Sequence, residues 1–555
     1  MKKLFIIILL FFYSISFSQE YEEWNREFSG RTIRNILIKT YNVGESIYPD
    51  ESDSLWIKRL ANSLHYKTRD WVIKENLIFN EGDKINFNDL YESERLLRET
   101  NLFVEVKINI LPVPGSITEA DIEVITKDKW SLTYLAKYDF DNGSGYAGLK
   151  DLNFIGLGHR TDAVVTYNDD PSISWGGRFR YFVPNIKGSF INAGLRIDAN
   201  KKYSLKSFNV TRPFITYTNE WIGGIELKWE RNVFNLKDTT NVFVQRSFSR
   251  QNQDLWAGKV FQLDLENGLF KRNTSLITSV RVFTQNFSER PYSPFQYRVF
   301  ENSTTFLFGA GIISRSFYKD RFVEDFGITE DIPVGGSLSI STGPEERELG
   351  SRWYLGFETS YTDWIEDYGY LSGRIGAGSF FKDSPEQNTF NLNLLYHSYL
   401  YRWDIWTYRL FARYDLLLGS NRLSGENTFL YSGAGLRGIE RNFPSGDKRM
   451  VLNLEARIFS PYELLGFLIG GIAFTDFGLI TGDNKSFFRS RLYQSYGAGL
   501  RIKNESIINA AFQLVMIFNP YHPQNKGAGF SVAFSTNFAI GIRNIEFSRP
   551  FIESF

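Results

Sequence analysis

The chain has 555 residues and balances 63 Lys and Arg against 63 Asp and Glu, so no net field draws it to nucleic acid. Cysteine is absent, which excludes a disulfide framework and a thiolate metal site. The 50 Phe, 30 Tyr and 12 Trp stand beside 45 Gly at a mean hydropathy of -0.27, which suits a transmembrane β-barrel whose alternating strands average out as polar.

The first stretch, MKKLFIIILLFFYSISFSQE, sets Lys2 and Lys3 before an apolar run from Leu4 to Tyr13 and small residues at Ser16 and Ser18. This pattern predicts a secretory signal over residues 1–18. The run is too short for the roughly 20 apolar residues of a spanning helix. Residues 19–30 read as a linker. Thr32 to Ile38 then alternates as a strand and Arg69 to Leu77 reads as a short helix. A second helix, capped by Asn86 or Asn88, carries Leu90, Leu96 and Leu97 to about Thr100. Phe103 to Leu111 and Ala120 to Thr126 alternate as strands on either side of a Pro-Val-Pro-Gly-Ser turn. The order strand, helix, helix, strand, strand predicts a small α+β domain over residues 31–129. Inside it, the stretch Tyr41 to Lys67 reads as an insertion with its own short helix, Leu55 to Leu64.

Near Trp130 the period changes to two and stays there. In Ile191 to Ala199, Ile191, Ala193, Leu195 and Ile197 oppose Asn192, Gly194, Arg196 and Asp198. In Trp221 to Glu230, Trp221, Ile225, Leu227 and Trp229 oppose Gly224, Glu226, Lys228 and Glu230. One face suits lipid and the other a wet lumen. Unpaired backbone groups are intolerable in hydrocarbon, so such strands cross a membrane only as a closed barrel. Residues 130–540 divide into hairpins joined by short turns such as Pro184 to Gly188 and long polar loops such as Asn232 to Asp254, with Tyr318 to Gly336 the hardest stretch to divide. Short turns are expected in the periplasm and long loops outside. The predicted fold class is mainly β: a transmembrane antiparallel β-barrel of about 16 strands preceded by a small periplasmic α+β domain. Alternation of Phe530, Val532, Phe534, Thr536 and Phe538 ends the last strand near 540. Residues 541–555 are left as a C-terminal tail with no assigned role, because Arg549 and Glu553 break the apolar parity of a terminal assembly signal ending at Phe555.

Catalysis has no support in the sequence. The four histidines, His65, His159, His397 and His522, have no ligand spacing, and neither a Gly-x-Ser-x-Gly elbow nor a P-loop occurs. No catalytic residue, metal or cofactor is expected, and the chain is not read as an enzyme. The informative stretch is GAGLRGIERNF, 433–443, which sets Arg437 between Gly435 and Gly438 ahead of the strand RMVLNLEARIF, 449–459. The next strand, GGIAFTDFGLI, 470–480, turns Phe474, Asp476 and Gly478 to one face. Asp476 is costly on lipid, so that face belongs to the lumen. An arginine fork matches a carboxylate there, which predicts that Arg437 points inward at Asp476.

These motifs carry a resemblance. "LRGIERNF" resembles the Val-Arg-Gly-aromatic motif on the inward-folding sixth loop of the BamA and TamA superfamily (bacterial surface antigen type barrels), and "FTDFG" resembles its Phe-x-Asp-x-Gly partner on the thirteenth strand. "GLKDLNFIGLGHR", 148–160, is similar to the early barrel hairpin of that family, the last three strands to its strands fourteen to sixteen, and "LLRETNLFVEVKI" to its POTRA domain, here single over residues 31–129. The resemblance implies a lock made by Arg437, Gly438, Phe474, Asp476 and Gly478, with Glu455 and Arg457 as lumenal polar support. It also implies a Gram-negative outer-membrane location with the POTRA-like domain in the periplasm. The implied partners are unfolded outer-membrane or secreted polypeptide clients, outer-membrane lipid and periplasmic accessory proteins. The implied function is to insert outer-membrane proteins or translocate polypeptides, by opening near residues 131–140 and 529–540. The alternative is a passive pore or an accessory structural barrel, which a single POTRA-like domain and Leu436 and Ile439 in the loop motif favour.

Overall fold

A computed structural model of the chain describes residues 27–555, except for 44, 46–64, 140–143, 172, 217, 238–242, 264–273, 296, 367, 424–425, 432, 434, 440–443, 465–466, 483–484, 504–511, 524–526, 536–539, 543–544 and 554–555. The expected signal segment and the short helix Leu55 to Leu64 lie outside the described residues.

The N-terminal unit runs β1 (Thr32–Tyr41), α1 (Asp70–Glu75), α2 (Phe87–Glu99), β2 (Phe103–Pro112) and β3 (Glu119–Asp128). Its sheet has the order β1-β3-β2, with β1 parallel and β2 antiparallel to β3. The parallel pair needs the helical crossover that α1 and α2 supply. The Asn86 side chain accepts from the Asn88 amide at 3.0 Å and so starts α2. One face of the sheet (Ile33, Ala120, Ile122, Val124) closes on Ile73 and Leu97 from the helices, all buried.

From Leu132 onward the described residues form a closed barrel of 21 strand segments. The three-residue segment Tyr401–Trp403 continues the line of Pro385–His397 along the same neighbouring strand, which leaves 20 strand positions around the wall, an even number. This exceeds the expected sixteen. Sixteen strands over residues 130–540 would take roughly 25 residues per strand and loop, whereas the first six strands are 8 to 10 residues long and joined by tight turns. The stretch Tyr318 to Gly336 is a strand end, a turn and the start of Glu330–Arg347.

The stretch Asn232 to Asp254 is not the expected loop. Strands Trp221–Lys237 and Phe243–Leu263 pair in unbroken register out to Lys237 with Phe243. Its polar residues satisfy a water-facing ladder as well as they would a loop, so polarity alone did not mark where pairing ends.

Alternation sorts the wall as a lipid-spanning barrel requires. Trp221, Ile225, Trp229, Phe306, Phe308 and Leu338 are exposed on the outside, while Asp254, Ser341, Arg409, Glu455 and Asp476 are buried inside.

The N-terminal unit sits against one barrel end. Arg98 of α2 makes a two-pronged pair with Asp331 at 2.7 and 2.8 Å, and Glu94 pairs with Lys319. Tyr91 donates to the carbonyl of Phe317 at 2.8 Å. Asn185, in a short barrel turn, donates to the carbonyl of Glu75 at 2.6 Å, and Asn153 donates to the Thr68 hydroxyl at 2.8 Å. Gly156, at a φ of +72°, lets a second turn close on the chain just before α1: a Cβ there would lie 2.4 Å from the Lys67 carbonyl oxygen. The tail enters the lumen at this same end, beside Val323, and continues along the inner wall.

Candidate functional site

Between strands Trp406–Ser420 and Lys448–Leu464 the chain makes a long excursion from the end opposite the N-terminal unit. A two-stranded clip, Thr428–Phe429 with Ser445–Gly446, ties its base. Its descent is apolar: Leu430, Leu436 and Ile439 pack with Val451 and Ile480 of the wall. The two residues that depart from the family's motif, Leu436 and Ile439, are therefore anchors, buried almost completely.

Arg437 lies at the bottom of this descent. Its Nε and Nη2 donate to the two oxygens of Asp476 at 2.9 and 2.7 Å, and its own amide donates to Asp476 at 3.2 Å. The remaining prong, Nη1, reaches Glu455 at 2.7 Å. The guanidinium lies 3.5 Å above the Phe474 ring centroid, a cation–π contact closed off from water. Glu455 in turn accepts from Arg457 Nε at 2.7 Å, and Arg457 donates onward to the carbonyls of Val323 and Ile540. Two carboxylates and two guanidiniums are thus buried with charge balance and with both acids bonded, the condition under which such a cluster is tolerated.

The glycines are steric requirements. Gly438 has a φ of +81°, and a Cβ on it would lie 2.7 Å from Asn519 Oδ1 and 2.8 Å from Ile517. A Cβ on Gly478 would meet Leu430 at 2.8 Å. Pairing of Asn453 with Asp476 and of Glu455 with Phe474 across the two strands sets the register that places the carboxylates side by side.

The structure therefore brings together Arg437, Gly438, Phe474, Asp476, Gly478, Glu455 and Arg457. Sequence reasoning missed three neighbours. Asn453 bridges Asp476 at 2.7 Å and the Gly435 carbonyl, and its position two before Glu455 on the same face was a usable signal. Ser495 and Asn519 both donate to the Arg437 carbonyl, at 2.7 and 3.3 Å, from strands that carry no local sign of it. Among the described residues no group of acidic or histidine side chains is arranged to hold a metal.

Fold and site together define a transmembrane β-barrel with a loop docked in its lumen and a small α+β unit at its mouth. Its trace is similar to that of BamA from Haemophilus ducreyi lacking POTRA domains 1-3, at 11% identity over 91% of this chain and 85% of that one, with a TM-score of 0.39. It is also similar to CdiB from Acinetobacter baumannii, at 13% identity over 91% and 74% with a TM-score of 0.43. CdiB from Escherichia coli matches at 12% identity over 91% and 76% with a TM-score of 0.46. No protein-family model matches the chain, and no curated protein does.

Proposed function

We propose that this chain is an outer-membrane barrel of the BamA and TamA kind that inserts outer-membrane proteins or translocates polypeptides across that membrane. The observation that carries the reading is the inward loop held by Arg437 on Asp476, Glu455 and Phe474. A fully occupied arginine fork at a loop tip fixes that loop relative to four wall strands, Lys448–Leu464, Phe467–Thr481, Tyr493–Lys503 and Phe512–His522. These lie next to the last strand, Gly527–Ser535, where the sheet closes on Leu132–Asp139. A rigid last quarter of the barrel gives the closing seam one firm side. Residues 31–129 act as a POTRA-like periplasmic domain whose outer strands, β1 and β2, accept an unfolded client by main-chain pairing. No step of this activity calls for a catalytic group, a metal or a cofactor.

The test is reconstitution of the full-length protein in lipid vesicles with an unfolded barrel client. The account predicts faster acquisition of protease-resistant, membrane-inserted client than in empty vesicles, and much less acceleration by Arg437→Ala. Equal rates in all three would refute it. The passive-pore alternative is disfavoured by one observation: residues 545–553 lie along the lumenal wall.

A further inference from the structure

The inner wall from Trp221 to His397 is not the wet surface a pore needs. Ile222, Trp256, Val260, Ile277 and Ile313 face inward and are buried, and they are covered by Ile545 and Phe547 of the tail. Further along, Leu307, Tyr354 and Phe380 are covered by Ile552.

The wall is also recessed to admit the segment. A Cβ on Gly311 would lie 2.7 Å from the Phe547 ring, and one on Gly309 would lie 3.0 to 3.2 Å from Pro550. On Gly376 it would lie 2.6 Å from the Glu553 carboxylate, and on Gly378 it would lie 3.1 Å from Glu553 Cβ. Four lumen-facing glycines from two strands form a trough: a side chain on Gly311 or Gly376 would push the tail away, whereas one on Gly309 needs it to shift by only a few tenths of an ångström.

Two kinds of contact fill this trough. Wall side chains read the tail's main chain. Arg315 donates to the Ile545 carbonyl at 3.2 Å and Arg281 to the Pro550 carbonyl at 3.0 Å. Ser341 accepts from the Phe551 amide at 3.0 Å, and the Tyr354 hydroxyl accepts from the Glu553 amide at 2.7 Å. Charge then selects two side chains. Arg549 donates to Asp254 at 2.8 Å, and buried Glu553 accepts from Arg374 at 2.9 Å and from Asn391. A cavity of about 190 Å³ lies beside Gly541, Ile545 and Glu546, so the close fit belongs to residues 547–553.

We propose that this trough is a peptide-binding site for a segment of the pattern Phe-x-Arg-Pro-Phe-Ile-Glu, and that the chain fills it with its own residues 547–553 and so plugs the lumen in cis. Main-chain contacts give it affinity for polypeptide, the glycine floor admits the ring and the proline, and the two charged ends fix direction.

The native chain has no cysteine, so Gly309→Cys with Pro550→Cys gives a single possible disulfide. A Cβ on Gly309 would lie 3.2 Å from that of Pro550, near the roughly 3.5 to 4.5 Å a disulfide takes. Mild oxidation of the full-length double variant in detergent is expected to form the intramolecular bond in most molecules. In planar bilayers the oxidised protein should conduct as little as the wild type. Removal of residues 545–555 should raise single-channel conductance several-fold, and adding a synthetic peptide of residues 545–555 should lower it again. The same peptide with Arg549→Glu and Glu553→Arg should have no effect. Should the shortened chain fail to fold, Glu553→Lys in the full chain takes its place and should release the tail, with the same rise in conductance. Absence of the disulfide, unchanged conductance after tail removal or release, or equal block by both peptides would overturn the proposal.

Discussion

Arg437 does not act as half of a pair. Its three guanidinium nitrogens are divided between two carboxylates that are themselves buried, and Glu455 is shared with Arg457. Removing the guanidinium leaves Asp476 as an uncompensated buried charge and Glu455 with Arg457 alone, so Arg437→Ala should destabilise the docked loop by about 3–5 kcal/mol. Limited proteolysis should cut between residues 430 and 445 in that variant while the barrel keeps its heat-modifiable mobility; an uncut loop would show that the apolar anchors suffice. Gly438→Ala should have a similar effect from the opposite cause. Its left-handed backbone costs roughly 1–2 kcal/mol with a side chain, and the added methyl strikes Asn519 and Ile517. The same proteolysis reads it out. At this scale the sequence was most informative, because period two by itself puts Glu455 with Arg457, and Phe474 with Asp476 and Gly478, on shared faces. Ser495 and Asn519 were illegible: they converge on Arg437 only through strand pairing across the wall, which no local pattern encodes.

The elements obey two different grammars: the sequence changes period near Trp130, between the strand that ends at Asp128 and the wall strand that begins at Leu132. Helix caps and a 3.6 period precede it; strict alternation follows. Strand number was less readable, because a short strand with a tight turn and a long strand with a polar extension give the same average spacing. The extra positions fall before the lock. The Phe-x-Asp-x-Gly strand, Phe467–Thr481, is fourth from the end of the barrel, as the thirteenth of sixteen would be. Helix α2 supplies the element-scale predictions. Burial alone would push the Glu94 carboxyl up, but Lys319 and Arg98 together hold it below its ordinary value. A carboxyl shifted down stabilises the bound state above its free value and loses that contribution as pH falls through the bound one. Docking of the N-terminal unit should therefore hold at neutral pH and weaken below about pH 4, the ordinary value for Glu. Energy transfer between dyes placed on α2 and on the 321–329 turn should be high at pH 7 and fall below pH 4; unchanged transfer would remove Glu94 from the interface. Asp331→Asn should weaken the same docking by roughly 1.5–3 kcal/mol, since it takes the charge from a two-pronged bond to Arg98, and the same energy transfer measures it.

For the molecule as a whole, a continuous set of contacts joins the two ends of the barrel. The loop reaches Glu455 from one side, Glu455 holds Arg457, and Arg457 holds the Val323 turn and the root of the tail at Ile540 on the other. The N-terminal unit rests on strand ends beside that turn, at Lys319 and Asp331. Anything that releases Arg437 is thus positioned to loosen the tail, and the N-terminal unit abuts the same end. The tail itself was not legible as a lumenal segment, because its pattern follows the shape of a trough built from distant glycines rather than a period of its own. The central claim is client handling, and the most direct measurement is a quantitative outer-membrane proteome after depletion of this protein, with wild type and Arg437→Ala each supplied back. The account predicts loss of one or more barrel or surface-exposed proteins, restored by wild type and not by Arg437→Ala. A proteome unchanged by depletion would contradict it.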